Sequence, residues 1–144
     1  MPWVGPFQIK EFLKKSLDKK QPLPTGKKGI YLVTKKKWQG TPSKKCEPMY
    51  VGGVTGDSDR LLSRVGELVA AMFGLYSKNT KTHTGGQLIS THFRRTEEKE
   101  YHPLGLWIAW RTDITCNRCA EKKVYDEIRP WCNERSPPFC NKHG

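Results

Sequence analysis

Acidic residues are scarce in this chain of 144 residues: 14 Asp plus Glu stand against 26 Lys plus Arg, leaving a formal charge of +12. A shortage of that size excludes an acidic, solvating polypeptide and draws the chain toward polyanions, with nucleic acid ahead of an acidic membrane surface. Long apolar runs are missing as well. The longest, Leu104 to Trp110, is about a third of the ~20 residues a membrane-spanning helix needs. The opening Met-Pro-Trp-Val-Gly-Pro has no basic stretch leading into an apolar core, so no secretory signal is legible. These absences set the expectation of a soluble intracellular protein without a membrane partner. There is no internal repeat and no low-complexity tract beyond short lysine runs.

The chain also contains five Trp, five Tyr and five Phe. That is too much large apolar surface for a disordered chain, even at a mean hydropathy of −0.72. One globular domain of ordinary size is expected. Ile9, Phe12, Leu13 and Leu17 at helical spacing predict an amphipathic helix over residues 7–18, with a linker to residue 26. Gly29 to Val33 and Met49 to Gly53 read as strands of an antiparallel hairpin, separated by a loop rich in Gly and Pro between Gly40 and Pro48. Leu61, Leu62, Val65, Leu68, Val69, Met72 and Phe73 predict a helix over residues 59–73. A loop over residues 74–96, a third strand over residues 104–111 and a last helix over residues 120–129, ended by Pro130, complete the reading. The expected fold is α/β: a small antiparallel three-stranded sheet flanked by helices.

Four of the five cysteines crowd into residues 116–140. Cys116-x-x-Cys119 and Cys140-x-x-His143 have the spacing of two metal-ligand knuckles, which predicts a structural zinc held by Cys116, Cys119, Cys140 and His143. If residues 120–129 are helical, ten residues rise ~15 Å and carry Cys132 past the far end, outside the site. Cys46 is left over.

The order Gly29-Ile30-Tyr31, Tyr50-Val51-Gly52, Leu61-Leu62-Ser63-Arg64 and Glu121, followed by Val124, Tyr125, Arg129, Pro130 and Asn133, resembles the GIY-YIG nuclease family over residues 29–133. The resemblance implies a metal-dependent DNA endonuclease in a domain spanning residues 27–144. It puts Tyr31 and Tyr50 beside the reacting water, Arg64 on the phosphate, Glu121 on a divalent ion, taken as magnesium, and Asn133 as a brace. Its chemistry is coherent. Phosphodiester hydrolysis needs a water to lose a proton and the charge growing on phosphate oxygens to be neutralised. Arginine supplies a planar fork of permanent positive charge. Tyrosine, with an ordinary pKa near ~10, needs cationic neighbours to serve as a base.

Two features depart from the family pattern. Between Tyr31 and Tyr50 lie 18 residues, a longer stretch than the family has, read here as a loop insertion. Leu68 stands four residues after Arg64, where the family carries His or Tyr, and His83 is the candidate to replace it. Lys27, Lys28, Lys35, Lys36 and Lys37 flank the first strand and are the expected DNA contacts. No small-molecule cofactor is expected, and the sequence leaves a homodimer open. Taken singly, each residue has a plainer role: tyrosines pack in strands, Arg64 and Glu121 are solvated on helices, and a lysine run protects a sheet edge. The rival to an enzyme is a zinc-containing nucleic-acid binding module that keeps the nuclease fold without the activity.

Overall fold

A computed structural model describes residues 3–18, 29–54, 60–73, 86, 89–90, 103–112 and 116–130. The described elements follow the chain as strand β1 (Val4–Gln8), helix α1 (Ile9–Asp18), β2 (Gly29–Thr34), β3 (Pro48–Val54), α2 (Arg60–Met72), β4 (Trp107–Arg111) and α3 (Asn117–Ile128). Single 3₁₀ turns occupy Lys44–Cys46 and Pro103–Gly105. The strands form one antiparallel sheet in the order β1-β4-β2-β3. The fold is therefore α/β with four strands, one more than the three expected.

The extra strand is β1. Its Gly5 and Pro6 oppose a strand reading, and the apolar spacing downstream favours a helix from residue 7. What makes it a strand is tertiary: β4, about a hundred residues later, offers its free side. Val4 pairs with Trp110 and Phe7 with Ile108, so one extra residue bulges from β1 between them. Pro6 is tolerated there because β1 is a sheet edge, where a missing N–H breaks no ladder. Helix α1 then starts at Ile9 and buries Ile9 and Phe12 with the main core.

Every residue of β2 is buried, because helices cover both faces of the sheet. Tyr31, Val33, Tyr50, Ile108 and Trp110 point to the face closed by α2 and α1. Ile30, Leu32, Val51 and Ala109 point to the face closed by α3. The pairing register makes this alternation continuous across strands, with Tyr31 opposite both Gly52 and Trp110, and Ile30 opposite both Gly53 and Arg111. At Gly29 helix α2 packs tightly on the sheet: a Cβ there would stand 2.7 Å from Leu61 Cδ2.

The stretch between Tyr31 and Tyr50 prolongs the hairpin beyond the sheet. Lys35 and Lys36 donate backbone N–H groups to the carbonyls of Glu47 and Cys46. Ser43 caps the short turn by accepting from the Lys45 amide, and Glu47 takes a left-handed conformation to re-enter β3. Cys46 is buried here, where loss of solvent pushes its thiol pKa up. Helix α3 begins with Cys116 as its N-cap and ends on Arg129 in a left-handed conformation, whose amide donates to the Tyr125 carbonyl. No helix among the described residues is long and apolar enough to cross a membrane.

Candidate active site

Tyr31 lies at the middle of β2 with its ring over the neighbouring strand. A Cβ on Gly52 would stand 2.6 Å from both Cζ and Oη of Tyr31 and 2.8 Å from Cε2 of Tyr50. Only glycine at position 52 lets the Tyr31 ring lie flat across β3, so the third residue of Tyr-Val-Gly is required by the first tyrosine. The two rings stand 6.2 Å apart, tilted by 38°.

Arg64 reaches this hydroxyl from α2. Its guanidinium donates a hydrogen bond to the Tyr31 hydroxyl and also pairs with Glu67 at 2.6 Å. The side chain of Arg64 is 22% exposed, so the cation touches both the buried phenol and solvent. Glu67 is a member that the sequence reading missed. The signal was present as the Arg64-x-x-Glu67 spacing, because residues three apart are neighbours on a helix surface.

Glu121 arrives from the other side. On α3 it is 1% exposed, and its Oε2 would lie 3.2 Å from a Cβ placed on Gly53. The adjacent glycines of β3 thus serve opposite faces: Gly52 clears space for Tyr31 and Gly53 for the Glu121 carboxylate. The two groups interact electrostatically. Arg64, Glu67 and Glu121, from two helices, thus all act electrostatically on Tyr31 of β2, Arg64 and Glu67 from one face of the sheet and Glu121 from the other.

The electrostatics of that cluster correct one expectation. Cationic neighbours are expected to bring the Tyr31 pKa down, and the charge and hydrogen bond of Arg64 do act in that direction. Burial is the larger effect and acts upward, joined by the negative charges of Glu121 and Glu67. The net shift is well upward, so the phenol holds its proton at neutral pH.

Leu68 is fully buried in the core under α2 and offers no acid or base. Tyr50 is buried with it, as a packed aromatic beside Tyr31. His83 and Asn133 lie outside the described residues, as do Lys27 and Lys28. Lys35 is half-buried, while Lys36 and Lys37 are exposed and engaged: Lys36 pairs with Glu47 at 3.2 Å, and the Lys37 ammonium stands 5.6 Å from the Trp107 ring centroid.

The two metal expectations fare differently. Among the described residues no group of three or more His, Cys, Asp and Glu is placed to hold a metal ion. For magnesium this is compatible, since that ion keeps several waters and takes one or two protein carboxylates. Glu121 offers such a carboxylate, buried and packed against Gly53, whose missing Cβ is what lets Oε2 approach the strand. Zinc needs thiolates, and Cys116 and Cys119 are instead joined in a disulfide at the exposed start of α3, where the Cys116 Sγ also accepts the Cys119 amide at 3.1 Å. In that form neither sulfur fits a zinc ion. Cys132, Cys140 and His143 lie outside the described residues.

No family model, curated protein or solved structure matches this chain.

Proposed function

We propose that this protein is a divalent-metal-dependent endonuclease that hydrolyses phosphodiester bonds in DNA. One observation carries the reading: Arg64 of α2 and Glu121 of α3 both act electrostatically on Tyr31 of β2, next to the close approaches at Gly52 and Gly53. Glu121 would hold one magnesium ion, which when bound supplies positive charge to neutralise the phosphate. Arg64 takes a phosphate oxygen with its planar fork, exchanging the half-exposed Glu67 carboxylate for the substrate. Tyr31, protonated, orients the attacking water through its hydroxyl; as the water oxygen bonds to phosphorus its proton passes to a non-bridging phosphate oxygen, and the P–O bond to the leaving sugar oxygen breaks, that oxygen taking a proton from solvent. Keeping that hydroxyl neutral leaves the permanent cation Arg64 available to the phosphate.

The zinc clasp belongs to the reduced chain. Reduction of the Cys116–Cys119 disulfide restores two thiolates at the start of the helix that carries Glu121, for a tetrahedral site with Cys140 and His143. Elemental analysis of protein purified under reducing conditions should then find about one zinc per chain. Cys132→Ser should retain it and Cys140→Ser should lose it.

The rival reading, a nucleic-acid binding module without activity, draws support from Leu68 in the core and from the raised Tyr31 pKa. Incubation with plasmid, branched and single-stranded DNA separates the two. Magnesium-dependent cutting that stops with chelator supports the enzyme. Binding without cutting of any substrate supports the module.

A further inference from the structure

The long stretch between Tyr31 and Tyr50 contributes nothing to the cluster above, nor do Trp3, Arg111 and Lys123. All of them meet on the α3 face of the sheet. There the inserted loop at residues 40–42, the α3 stripe of Ala120, Val124 and Ile128, and Trp3 and Arg111 line an open cavity of about 450 Å³. That volume lies in the range of small-ligand sites.

We propose that this cavity binds one unstacked nucleotide of a DNA strand. The proposal rests on the nucleic-acid reading above and names a second contact for it. Trp3 supplies a flat aromatic face, held in place edge-on by Trp38 with ring centroids 5.8 Å apart and planes at 86°. Nucleobases of every kind stack on such a face. The Arg111 guanidinium stands 5.8 Å from the Trp3 ring centroid, and Lys123 is exposed at the α3 wall, so two cations border the space where a backbone phosphate would follow the base. Glu127 adds a single carboxylate, an acceptor for exocyclic amino groups. Three charged side chains are a poor lining for a purely apolar ligand.

The position gives the cavity its use. Residues 120, 124 and 128 recur at helical spacing, and Glu121 stands one residue off that stripe. A strand whose unpaired nucleotide enters the cavity is therefore laid along the helix that carries the Glu121 carboxylate. The preferred DNA has an unpaired segment beside a duplex.

Binding in chelator tests this without cleavage. Two fluorescent probes are titrated by anisotropy: a blunt duplex, and the same duplex with a single-stranded thymidine tail. The tailed probe should bind about tenfold more tightly, the size of one base–aromatic stack. Trp3→Ala should erase that difference and Trp3→Phe should keep most of it. Lys123→Glu, at an exposed position that does not test folding, should weaken the tailed probe more than the blunt one. Equal affinities for the wild type, or a tail preference that survives Lys123→Glu together with Trp3→Ala in folded protein, would overturn the proposal. If magnesium-dependent cutting of duplex persists alongside equal affinities, the cavity falls and the endonuclease stands. If neither probe binds and no DNA is cut with magnesium, both fall.

Discussion

The two faces of the sheet are built from the same strands yet filled to different purposes. Toward α2 the residues are large and close-packed: Trp110, Tyr31, Tyr50, Leu68 and Met72 leave room only where Gly52 admits a ring. Toward α3 they are smaller and aliphatic, Ile30, Leu32, Val51 and Ala109, and the helix leaves a cavity between itself, Trp3 and the inserted loop. Because β2 is buried on both sides, polarity cannot distinguish its faces, and alternation of size does so instead. The α2 face positions a phenol and a cation, and the α3 face contributes a carboxylate and the cavity. Where the sheet loses its side chains, at Gly52 and Gly53, the two faces act on each other.

The sharpest way to break that union is to remove its member from the α3 face. Glu121→Ala should abolish magnesium-dependent cleavage while DNA affinity in chelator stays nearly unchanged; full activity in that variant would separate the faces. From the other face, Arg64→Ala should lower the cleavage rate by ~100 to 1,000-fold, the usual loss for one donor to developing charge. Single-turnover rates at saturating protein read both effects.

Next in size is the strand between the faces. Gly52→Ala puts a Cβ 2.6 Å from Tyr31 and 2.8 Å from Tyr50, with close packing on every side. Such overpacking costs about 1–3 kcal/mol, and the melting temperature should fall accordingly. Gly53→Ala meets Glu121 Oε2 at 3.2 Å and Ile30 Cγ2 at 3.3 Å, a milder crowding, and should destabilise less. Equal melting temperatures for the two variants would mean that the Tyr31 face is no tighter than the other.

The hairpin and the two later helices were legible because each is specified locally. The apolar spacing from Leu61 to Phe73 sets α2, and the strands around Tyr31 and Tyr50 pair directly across their connection. β1 was not, since its pairing partner lies at the far end of the chain and its own Gly5-Pro6 argues against a strand. At the site, Tyr31, Arg64 and Glu121 were legible as residue types in order. The balance of forces on them was not. Whether Arg64 or burial controls the Tyr31 proton depends on how completely the ring is covered, which no local pattern reports. The disulfide has the same character: Cys-x-x-Cys fixes that two sulfurs meet, but their oxidation state decides whether they bond to each other or to zinc.

Burial of Tyr31 makes a prediction about alkaline pH. The folded chain holds this proton above the ordinary pKa of 10.0, so above that value the unfolded chain binds fewer protons than the folded one. The stabilisation is complete below pH ~10 and is lost as pH rises from there toward the folded value. Tyr31→Phe removes the ionisation, so its melting temperature should decline less than that of the wild type across the same window. Parallel declines would mean that the phenol is more exposed than the packing on the α2 face implies.

The smallest effect concerns the lysines that follow β2, at the start of the inserted stretch. Each phosphate neutralised by a cation on duplex DNA adds about −0.9 to the slope of log affinity against log salt. Lys36 and Lys37 are held to the protein by Glu47 and by the Trp107 ring, yet both remain exposed, and an exposed ion pair is worth only ~0–1 kcal/mol. A phosphate can therefore displace Glu47 at little cost. Replacing Lys35, Lys36 and Lys37 with Gln should flatten the slope for blunt duplex by up to about one per lysine, leaving the cleavage rate at saturation unchanged. If the slope holds while the melting temperature falls, these side chains fasten the inserted loop to the sheet and the duplex is gripped elsewhere.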